Sequence, residues 1–245
     1  MGENEVVIIL PLFNEESRFQ IEVFYSFFHK TQFSFCFVND GSTDGTSDIL
    51  HSILKNNENR IHLIDRKENK GKAESVREGC LLMSKTGRFK QIAFFDADFA
   101  TPLSEIYPML QIMQDKGVDM VIGSRFKRLG ADIRRNKKRF LIGRVFATIA
   151  SVLLGLAVYD TQCGAKVFDQ RVVSDLYNEK FESSWLFDIE ILFRLIDLRG
   201  EKDVKNRIVE YPLNAWREVA GSKLKMSDFL VLPWMLFRLY FIYKR

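Results

Sequence analysis

The sequence predicts an α/β protein with a mostly parallel, doubly wound sheet. Short apolar runs alternate with longer amphipathic stretches through the first half of the chain, which is the β-α-β order of parallel sheets. Several of these runs end in polar residues such as Asn39, Asp96 and Ser124, and ligands of open α/β sheets bind at the carboxyl ends of strands. With 245 residues, 47% of them hydrophobic, the chain is long enough for one large core.

The order of elements follows from these runs and from the helix start signals between them. Strands are expected at residues 6–10, 33–38, 61–64, 92–95 and 118–123, separated by helices at about 14–30, 47–56, 73–84 and 102–116. Beyond residue 125 we expect a helix through 145–158, a strand after a polar turn at 160–164, a helix within 181–199 and a last strand at 208–213. No linker or repeat interrupts this order, so residues 1–245 are expected to form one domain.

The central candidate site is the acidic pair Asp96 and Asp98, which directly follows the apolar run Ile92–Phe95. If the chain stays extended through Ala97, the two side chains share a face. Close carboxylates repel each other unless a cation lies beside them, and Mg²⁺ commonly takes one or two protein carboxylates together with phosphate oxygens. The pair therefore predicts a site for a divalent metal and phosphate, and a solvated acidic loop is the alternative.

Polar loops after two other strands indicate a nucleotide. The loop Asn39–Thr46 contains Asp40, an acceptor for base or ribose donors, in a glycine-rich strand-to-helix turn. Its spacing also matches part of a calcium EF-hand loop, but His51 stands where the bidentate Glu belongs and the loop follows a strand. Lys70 and Lys72 lie at another strand-to-helix turn, which suits a diphosphate, and a solvated basic turn is the alternative.

Charge and hydropathy predict a membrane surface as a partner. The formal net charge is +4, and a cluster of Arg and Lys at 134–144 directly precedes an almost wholly apolar segment at 145–158. We interpret this segment and the aromatic tail 229–245 as interfacial helices, because Arg144 and Arg238 disfavour spanning helices. A single span and a buried core helix are the alternatives for 145–158. Because the basic cluster lacks interleaved aromatic residues, nucleic acid is not an expected partner.

The cysteines and the N-terminal residues indicate a protein of the cytoplasmic side. Cys36, Cys80 and Cys163 show no metal-ligand spacing, and we expect them to be reduced core residues. The first residues are acidic and run straight into a predicted strand, which is not the pattern of a signal peptide.

Several of these motifs, in this order and spacing, resemble the family 2 glycosyltransferases with the GT-A fold. They are Pro11–Glu15, Val38–Asp44, Asn69–Gly71, Asp96–Asp98 and Gly123–Arg125. Motifs of the second half are most similar to the members of this family that transfer sugars to polyprenyl phosphate, first the dolichyl-phosphate β-glucosyltransferases and then the mannosyltransferases. These motifs are Asp160–Gly164, Phe187–Glu190, Trp216–Arg217 and Gly221–Lys223.

The resemblance implies a GT-A, Rossmann-like sandwich with C-terminal membrane-interface helices. The chain would comprise a nucleotide-sugar half (1–125), an acceptor half (126–225) and an interfacial tail (226–245). The implied activity is inverting transfer of a hexose, glucose in preference to mannose, from a nucleotide-diphospho-sugar such as UDP-glucose to a polyprenyl phosphate. The implied cofactor is Mg²⁺ or Mn²⁺, and the implied location is peripheral, on the cytoplasmic face of a membrane.

The resemblance also implies the roles of single residues. Asp98 and Asp96 would hold the metal, and Asp96 would also contact the base and ribose. Arg217 and Lys223 would close over the donor. The remaining donor contacts would come from Pro11, Phe13, Glu15, Val38, Asp40, Lys70 and Ala97. Arg125 and Arg139 would bind the acceptor phosphate, so the expected catalytic residues are Asp98, Arg125, Arg139 and Asp188.

The sequence departs from the mannosyltransferase pattern at two positions, and the residues Ala100 and Thr101 are nearer the glucosyltransferase pattern. Ala100 stands where mannosyltransferases often carry a Gln metal ligand, and Gly143 stands where they often carry Ser. A phosphate acceptor is largely dianionic near neutral pH and needs no strong base. A glycan acceptor would need one, and Asp188 or Glu190 are its candidates. A nucleotide- or membrane-binding module without catalysis is a further alternative.

Overall fold

The computed structural model describes residues 2–55, 57, 59–219 and 228–244, without the side chains of 137–139 and 228–230. The strands are β1 (Val6–Leu12), β2 (Ser34–Asn39), β3 (Ile61–Asp65), β4 (Gln91–Phe95), β5 (Met120–Ser124), β6 (Asp132–Arg134), β7 (Ala165–Asp169), β8 (Ile208–Pro212) and β9 (Ala215–Arg217). The helices are α1 (Ile21–Phe28), α2 (Thr46–Lys55), α3 (Lys72–Lys85), α4 (Ile106–Lys116), α5 (Lys137–Leu154), α6 (Gln170–Tyr177), α7 (Phe187–Arg199) and α8 (Asp228–Tyr243).

Within the described residues, seven strands form one sheet in the order β3-β2-β1-β4-β7-β5-β8. Neighbouring strands are parallel except β7, which runs antiparallel to both β4 and β5. The predicted mostly parallel α/β sheet is therefore confirmed. The sheet grows outward from β1 through β2 and β3, and then returns to the other side of β1 with β4. This reversal leaves a crevice outside the carboxyl ends of β1 and β4, where ligands of such sheets bind.

Two apolar layers cover the sheet, and many of the phenylalanines lie in one of them. On that face Phe35 and Phe37 of β2 contact Phe24 of α1, and α2 and α4 complete the layer. Helices α3, α5, α6, α7 and α8 cover the other face. Helix α3 approaches β1 closely at Gly79, where an added Cβ would lie 2.6 Å from Cγ2 of Ile9. This close contact holds α3, whose first residue faces the crevice, against the sheet.

The predicted helix at 14–30 is wrong in its first part, because the helix begins only at Ile21. Asn14 has a left-handed backbone with a φ of 51°, and the amide of Glu15 donates to Thr46 Oγ1 at 2.9 Å. These residues are therefore tied to the start of α2 instead of continuing a helix. Helix α6 and the small sheet of β6 and β9 were not among the sequence predictions.

Helices α5 and α8 pack against each other and are apolar on both their inner and their outer sides. The inner sides bury Phe146, Ala150, Leu154, Leu232, Leu236 and Leu239. The outer sides expose Leu141, Val145, Val152, Trp234, Phe237 and Phe241. No helix in the described part of the chain has the length and hydropathy of a membrane span. The interfacial role expected for these helices remains a prediction.

Candidate active site

Asp96 and Asp98 leave β4 in a tight turn and not in the extended conformation considered from the sequence. The amide of Phe99 donates to the carbonyl of Asp96 at 3.2 Å, and Phe99 has a left-handed φ of 50°. The amide of Asp96 donates to the carbonyl of Gly164 at 2.9 Å. The turn gives the two carboxylates different neighbours, so they do not share one strand face.

Each of the two carboxylates is paired with a cation. Lys72, the first residue of α3, forms an ion pair with Asp96, and NH2 of Arg18 donates to Asp98 Oδ2 at 2.8 Å. In the sequence Lys72 indicated only a basic turn, and Arg18 was not among the predicted site residues. Their partners come from distant parts of the chain, so no local sequence signal identifies these pairs.

The charges of this site shift the pKa values of its members. Burial, followed by repulsion from Asp96, raises the pKa of Asp98. Burial opposes the charged form of Lys72, but the attraction of Asp96, Asp188 and Asp98 together raises its pKa. The carboxylates that surround Lys72 therefore favour a cation at this site, and the neighbouring charge of Asp96 adds to the effect of burial on Asp98.

The donor set fits a hard divalent metal that also binds substrate oxygens. Asp96 and Asp98 offer carboxylate oxygens, the ligands that Mg²⁺ and Mn²⁺ prefer. In the described part of the chain, no group of three or more His, Cys, Asp or Glu side chains is arranged to hold a metal. A metal held by these two aspartates would therefore fill most of its coordination sphere with phosphate and water oxygens.

The carboxyl ends of β1 and β2 bring the predicted nucleotide contacts together. Pro11 lies opposite Val38 in the register of these strands, and the amide of Asp40 donates to the carbonyl of Leu12 at 2.8 Å. The side chain of Val38 is fully buried in the core, which leaves only its backbone for the predicted donor contact. Glu15 is buried beside them, within a salt bridge of 3.3 Å to Arg18, and Phe13 is half-buried.

Asp40 organises the basic turn that precedes α3. Its Oδ1 accepts from the amide of Lys70 at 2.8 Å, and its Oδ2 accepts from the amide of Gly71 at 2.8 Å. NH1 of Arg66 also donates to Oδ1 at 2.8 Å. The turn is close to the loop after β2, because a Cβ on Gly41 would lie 2.5 Å from the backbone carbon of Glu68. Asp40 therefore positions the turn that contains Lys70.

Asp188 lies close enough to Lys72 to act on its charge, and it forms an ion pair with a buried lysine. Lys166 of β7 has no exposed surface, and its Nζ donates to Asp188 Oδ1 at 2.6 Å and to the carbonyl of Cys163 at 2.7 Å. The sequence reasoning missed Lys166, although a lysine inside the apolar run Ala165–Phe168 signals a buried partner. The pair holds the first turn of α7 against β7.

Arg125 is fixed at a second charged cluster, at the end of β5. Asp160 accepts from Nε of Arg125 at 2.6 Å and from its NH2 at 2.8 Å. Arg135 lies near this pair: burial and then repulsion by Arg125 lower its pKa, and its buried NH2 has no hydrogen-bond partner in the described residues. Two guanidinium groups thus lie near Asp160, and only that of Arg125 is hydrogen-bonded to it within the described residues. The side chain of Arg139 lies outside the described part of the chain.

The ion pair between Asp160 and Arg125 should make the free energy of unfolding depend on pH in the acid range. Burial opposes ionisation of Asp160, but Arg125 lowers its pKa from 3.8 to about 2. The resulting stabilisation is present above pH 3.8 and is lost as the pH falls through about 2, and it amounts to about 2 kcal/mol at neutral pH. We therefore expect the difference in unfolding free energy between the wild type and Asp160→Asn to shrink by about 1 kcal/mol from pH 6 to pH 3. Urea unfolding at both pH values measures it, and an equal difference at both would contradict this account.

Strand β9 joins the two clusters. The amide of Arg217 donates to the carbonyl of Ala100 at 2.9 Å, next to the acidic turn, and the ring of Trp216 lies 5.4 Å from the guanidinium carbon of Arg125. The side chain of Arg217 is exposed and donates to Asp132 at 2.9 Å. Lys223, the other residue expected to close over the donor, lies outside the described residues.

Comparison with known proteins identifies the family. The model of glycosyl transferase family 2 matches residues 7–177, from β1 to the end of α6. The chain belongs to this family. The resemblance seen in the sequence motifs is therefore confirmed, and the chain is a family 2 glycosyltransferase.

Relatives of this family 2 glycosyltransferase share about a quarter of its residues. It is 27% identical over 241 residues to the dolichyl-phosphate β-glucosyltransferase of Saccharomyces cerevisiae. The aligned region covers 90% of this chain and 69% of the yeast protein. The human dolichyl-phosphate β-glucosyltransferase is 26% identical over 236 residues, covering 90% and 69%. An uncharacterised protein of Methanocaldococcus jannaschii is 27% identical and covers 89% of this chain and 94% of its own length.

A solved structure shares the fold of this family 2 glycosyltransferase. Glucosyl-3-phosphoglycerate synthase from Mycobacterium tuberculosis, in complex with Mn²⁺ and UDP-glucose, gives a TM-score of 0.68 at 15% identity. The match covers 98% of this chain and 79% of the synthase. At this identity the similarity concerns the fold, and it confirms the predicted GT-A class.

Proposed function

We propose that this glycosyltransferase moves glucose from a nucleotide-diphospho-sugar, preferably UDP-glucose, to the phosphate of a dolichol-type polyprenyl lipid. The observation that carries this proposal is the presence of two charged clusters joined by β9. The acidic cluster at Asp96 and Asp98 suits a metal-bound diphosphate, and the arginine cluster at Arg125 suits a second phosphate. The dolichyl-phosphate glucosyltransferases among the relatives support the sugar and the lipid, and the UDP-glucose complex of the structural neighbour supports the donor.

The donor would lie across the carboxyl ends of β1, β2 and β4, in the half formed by residues 1–125. Asp96 and Asp98 would hold Mg²⁺ or Mn²⁺, which when bound neutralises the leaving diphosphate. Lys72 would add positive charge beside that diphosphate. The other donor contacts would come from Pro11, Phe13, Glu15, the backbone of Val38, Asp40, Lys70, Ala97, Arg217 and Lys223.

The acceptor half, residues 126–225, would present the lipid phosphate to the sugar. The phosphate is largely dianionic near neutral pH, because its second pKa is about 6, so its own oxygen attacks the anomeric carbon without a strong base. Attack from the side opposite the leaving diphosphate inverts that carbon. Asp188, which Lys166 holds in place, would act in this scheme by keeping Lys72 charged and not by accepting a proton.

Arginines would hold the acceptor phosphate beside the sugar. Two nitrogens of Arg125 donate hydrogen bonds to Asp160, so the orientation of this guanidinium is fixed before any ligand binds. The NH2 of Arg135, which has no hydrogen-bond partner among the described residues, and the guanidinium of Arg139 would supply the remaining contacts. Bidentate contacts from arginine match the geometry of phosphate better than the point charge of lysine does.

Arg139→Ala is expected to lower transfer to dolichyl phosphate by about 10²-fold while the affinity for UDP-glucose stays unchanged. Loss of a desolvated phosphate contact affects the acceptor alone, because the donor is held at the other cluster. Radiolabelled lipid product measures transfer, and calorimetry measures donor binding. Arg171→Ala, which removes an exposed arginine at the opposite end of β7, serves as the control. A matching loss of donor affinity would show that Arg139 is not an acceptor contact.

Gly164→Ala is expected to lower transfer by about 10²-fold, because it displaces a metal-binding carboxylate. An added Cβ would lie 1.9 Å from Oδ2 of Asp96, so this side chain has to move. Ser174→Ala, at an exposed position of α6 beyond the end of β7 opposite Gly164, is the control. Assays of both variants under saturating donor and Mn²⁺ measure the effect. Equal activity of the two variants would show that the position of Asp96 is unimportant.

We further propose that the enzyme lies peripherally on the cytoplasmic face of a membrane. The exposed apolar side chains of α5 and α8, together with the basic residues before α5, support this, because stable anchoring usually takes an apolar and an electrostatic contribution. Residues 226–245 would form part of this contact. Alkaline carbonate should release the protein from membranes, and complete retention would contradict a peripheral attachment.

A panel of donors and acceptors tests the proposed function. UDP-glucose and GDP-mannose are each offered with dolichyl phosphate in detergent micelles and with 3-phosphoglycerate in solution. We expect lipid-linked glucose from UDP-glucose and dolichyl phosphate alone. Preferred use of GDP-mannose would support mannosyl transfer instead, and transfer only to the water-soluble acceptor would overturn the lipid assignment.

A further inference from the structure

Arg18 touches the metal-binding carboxylate, yet the reaction described above gives it no role. Its NH2 donates to Asp98 Oδ2 at 2.8 Å, and its NH1 donates to Glu15 Oε1 at 3.3 Å. Its Nε is buried and has no hydrogen-bond partner within the described residues. The guanidinium therefore occupies an oxygen that a metal would need and leaves part of its own bonding capacity unused.

The backbone of Arg18 is fixed by hydrogen bonds, whereas the hydrogen bonds of its guanidinium within the described residues are to Glu15 and Asp98. The amides of Arg18 and Phe19 both donate to the carbonyl of Glu15, at 2.9 and 2.7 Å. The ring of Phe19 packs against Phe37 and Phe99 at 6.0 and 5.5 Å between centroids. Because the chain is anchored next to the guanidinium, the side chain can change its partner without a movement of the backbone.

The charges around Asp98 favour such a change of partner. Glu15, Asp96 and Asp98 face Arg18 and Lys72, so the acidic groups are in excess. A divalent cation bound to the aspartates would be a like charge that competes with Arg18 for Asp98. A diphosphate bound to that cation would bring acceptor oxygens to the same place, and the forked guanidinium binds phosphate oxygens well.

We propose that Arg18 is an exchange residue, which pairs with Asp98 in the absence of metal and with the donor diphosphate once the metal is bound. This inference rests on the proposed function, because it requires a metal-bound nucleotide sugar as the donor. It makes metal and donor binding mutually reinforcing. Arg18 leaves Asp98 more readily when a diphosphate is present to receive it, so each ligand raises the affinity for the other.

The test compares Arg18→Gln with the wild type in two binding measurements. Paramagnetic resonance of free Mn²⁺ gives the affinity of the protein for the metal alone, and calorimetry at saturating Mn²⁺ gives the affinity for UDP-glucose. We expect Mn²⁺ to bind about three- to fivefold more tightly, because a competing cation is gone. We expect UDP-glucose to bind at least about tenfold more weakly, because a charged hydrogen bond to phosphate is lost.

Controls separate this pattern from a loss of structure. Arg171→Gln removes another salt-bridged arginine, of 2.8 Å to Asp169, and should change neither affinity. Arg18→Lys keeps the charge but loses the fork, and should resemble the wild type in Mn²⁺ affinity while binding UDP-glucose more weakly. Thermal melts confirm that the variants are folded.

The outcomes distinguish this inference from the proposed function. Mn²⁺ binding that is unchanged or weaker in Arg18→Gln, or UDP-glucose binding that is unchanged, would overturn the exchange role. Binding of neither Mn²⁺ nor UDP-glucose by the wild-type protein would overturn the proposed function, and the exchange role with it.

Discussion

Asp98→Asn is expected to lower glucosyl transfer by about 10²–10³-fold while the protein remains folded. The amide keeps the shape of the carboxylate but removes the negative charge that a hard metal requires. The fold should persist because Asp98 lies in a turn beyond β4 and its side chain is outside the apolar core. Initial rates at saturating donor, with and without Mn²⁺, measure the loss, and circular dichroism reports the fold.

Asp115→Asn provides the matched control for this prediction. Asp115 is exposed on α4, where it accepts from Gln111 at 2.8 Å, and it has no contact with the crevice. Its variant should keep wild-type rates. Wild-type turnover of Asp98→Asn after chelation of divalent ions would exclude the assignment of Asp98 as a metal ligand.

Lys166→Met is expected to destabilise the protein by about 3–5 kcal/mol, the usual cost of removing one member of a buried ion pair. Lys166 is fully buried, and Asp188, only 5% exposed, would be left without its cation. The carbonyl of Cys163 would also lose its donor at 2.7 Å. Urea unfolding at neutral pH measures the change in the free energy of unfolding.

A second substitution tests why Lys166→Met lowers the free energy of unfolding. Asp188→Asn in the Lys166→Met background removes the unpaired charge, so the double variant should be more stable than Lys166→Met alone. A double variant that is less stable by the sum of the two single losses would show that the residues act independently. In that case the ion pair would not explain the position of α7.

The parts of the fold that depend on local pattern were predictable from the sequence. The runs that became β1, β2, β3, β4 and β5 are short, apolar and bounded by polar residues, and the register of β1 and β4 places Asp96 at the crevice. The antiparallel insertion of β7 between β4 and β5 is decided by tertiary pairing, which no local pattern reports. Residues 14–18 have a helical pattern but take a loop conformation, because Thr46 and Ser42 bind their amides.

The residues of the candidate site were likewise predictable from the sequence only in part. Asp40, Asp96 and Asp98 could be predicted because strand ends and acidic spacing mark them in the sequence. The cations beside them could not, since Arg18 and Asp98 are brought together only by the folded sheet. The sequence placed Asp160 in a polar motif. Its salt bridge with Arg125 forms only because the loop after α5 packs against the end of β5. The functional roles of all these residues remain predictions, and the side chains of Arg139 and Lys223 lie outside the described residues.

Formation of a lipid-linked sugar is the most direct test of the central claim that this enzyme joins glucose to a polyprenyl phosphate. The purified protein is incubated with radiolabelled UDP-glucose, Mn²⁺ and dolichyl phosphate, and the organic phase is analysed by mass spectrometry and by proton coupling at the anomeric carbon. We predict a β-linked glucosyl phosphate lipid that forms only with metal present and that Asp98→Asn fails to produce. Label that appears only as free glucose, or in a water-soluble product, would contradict this account.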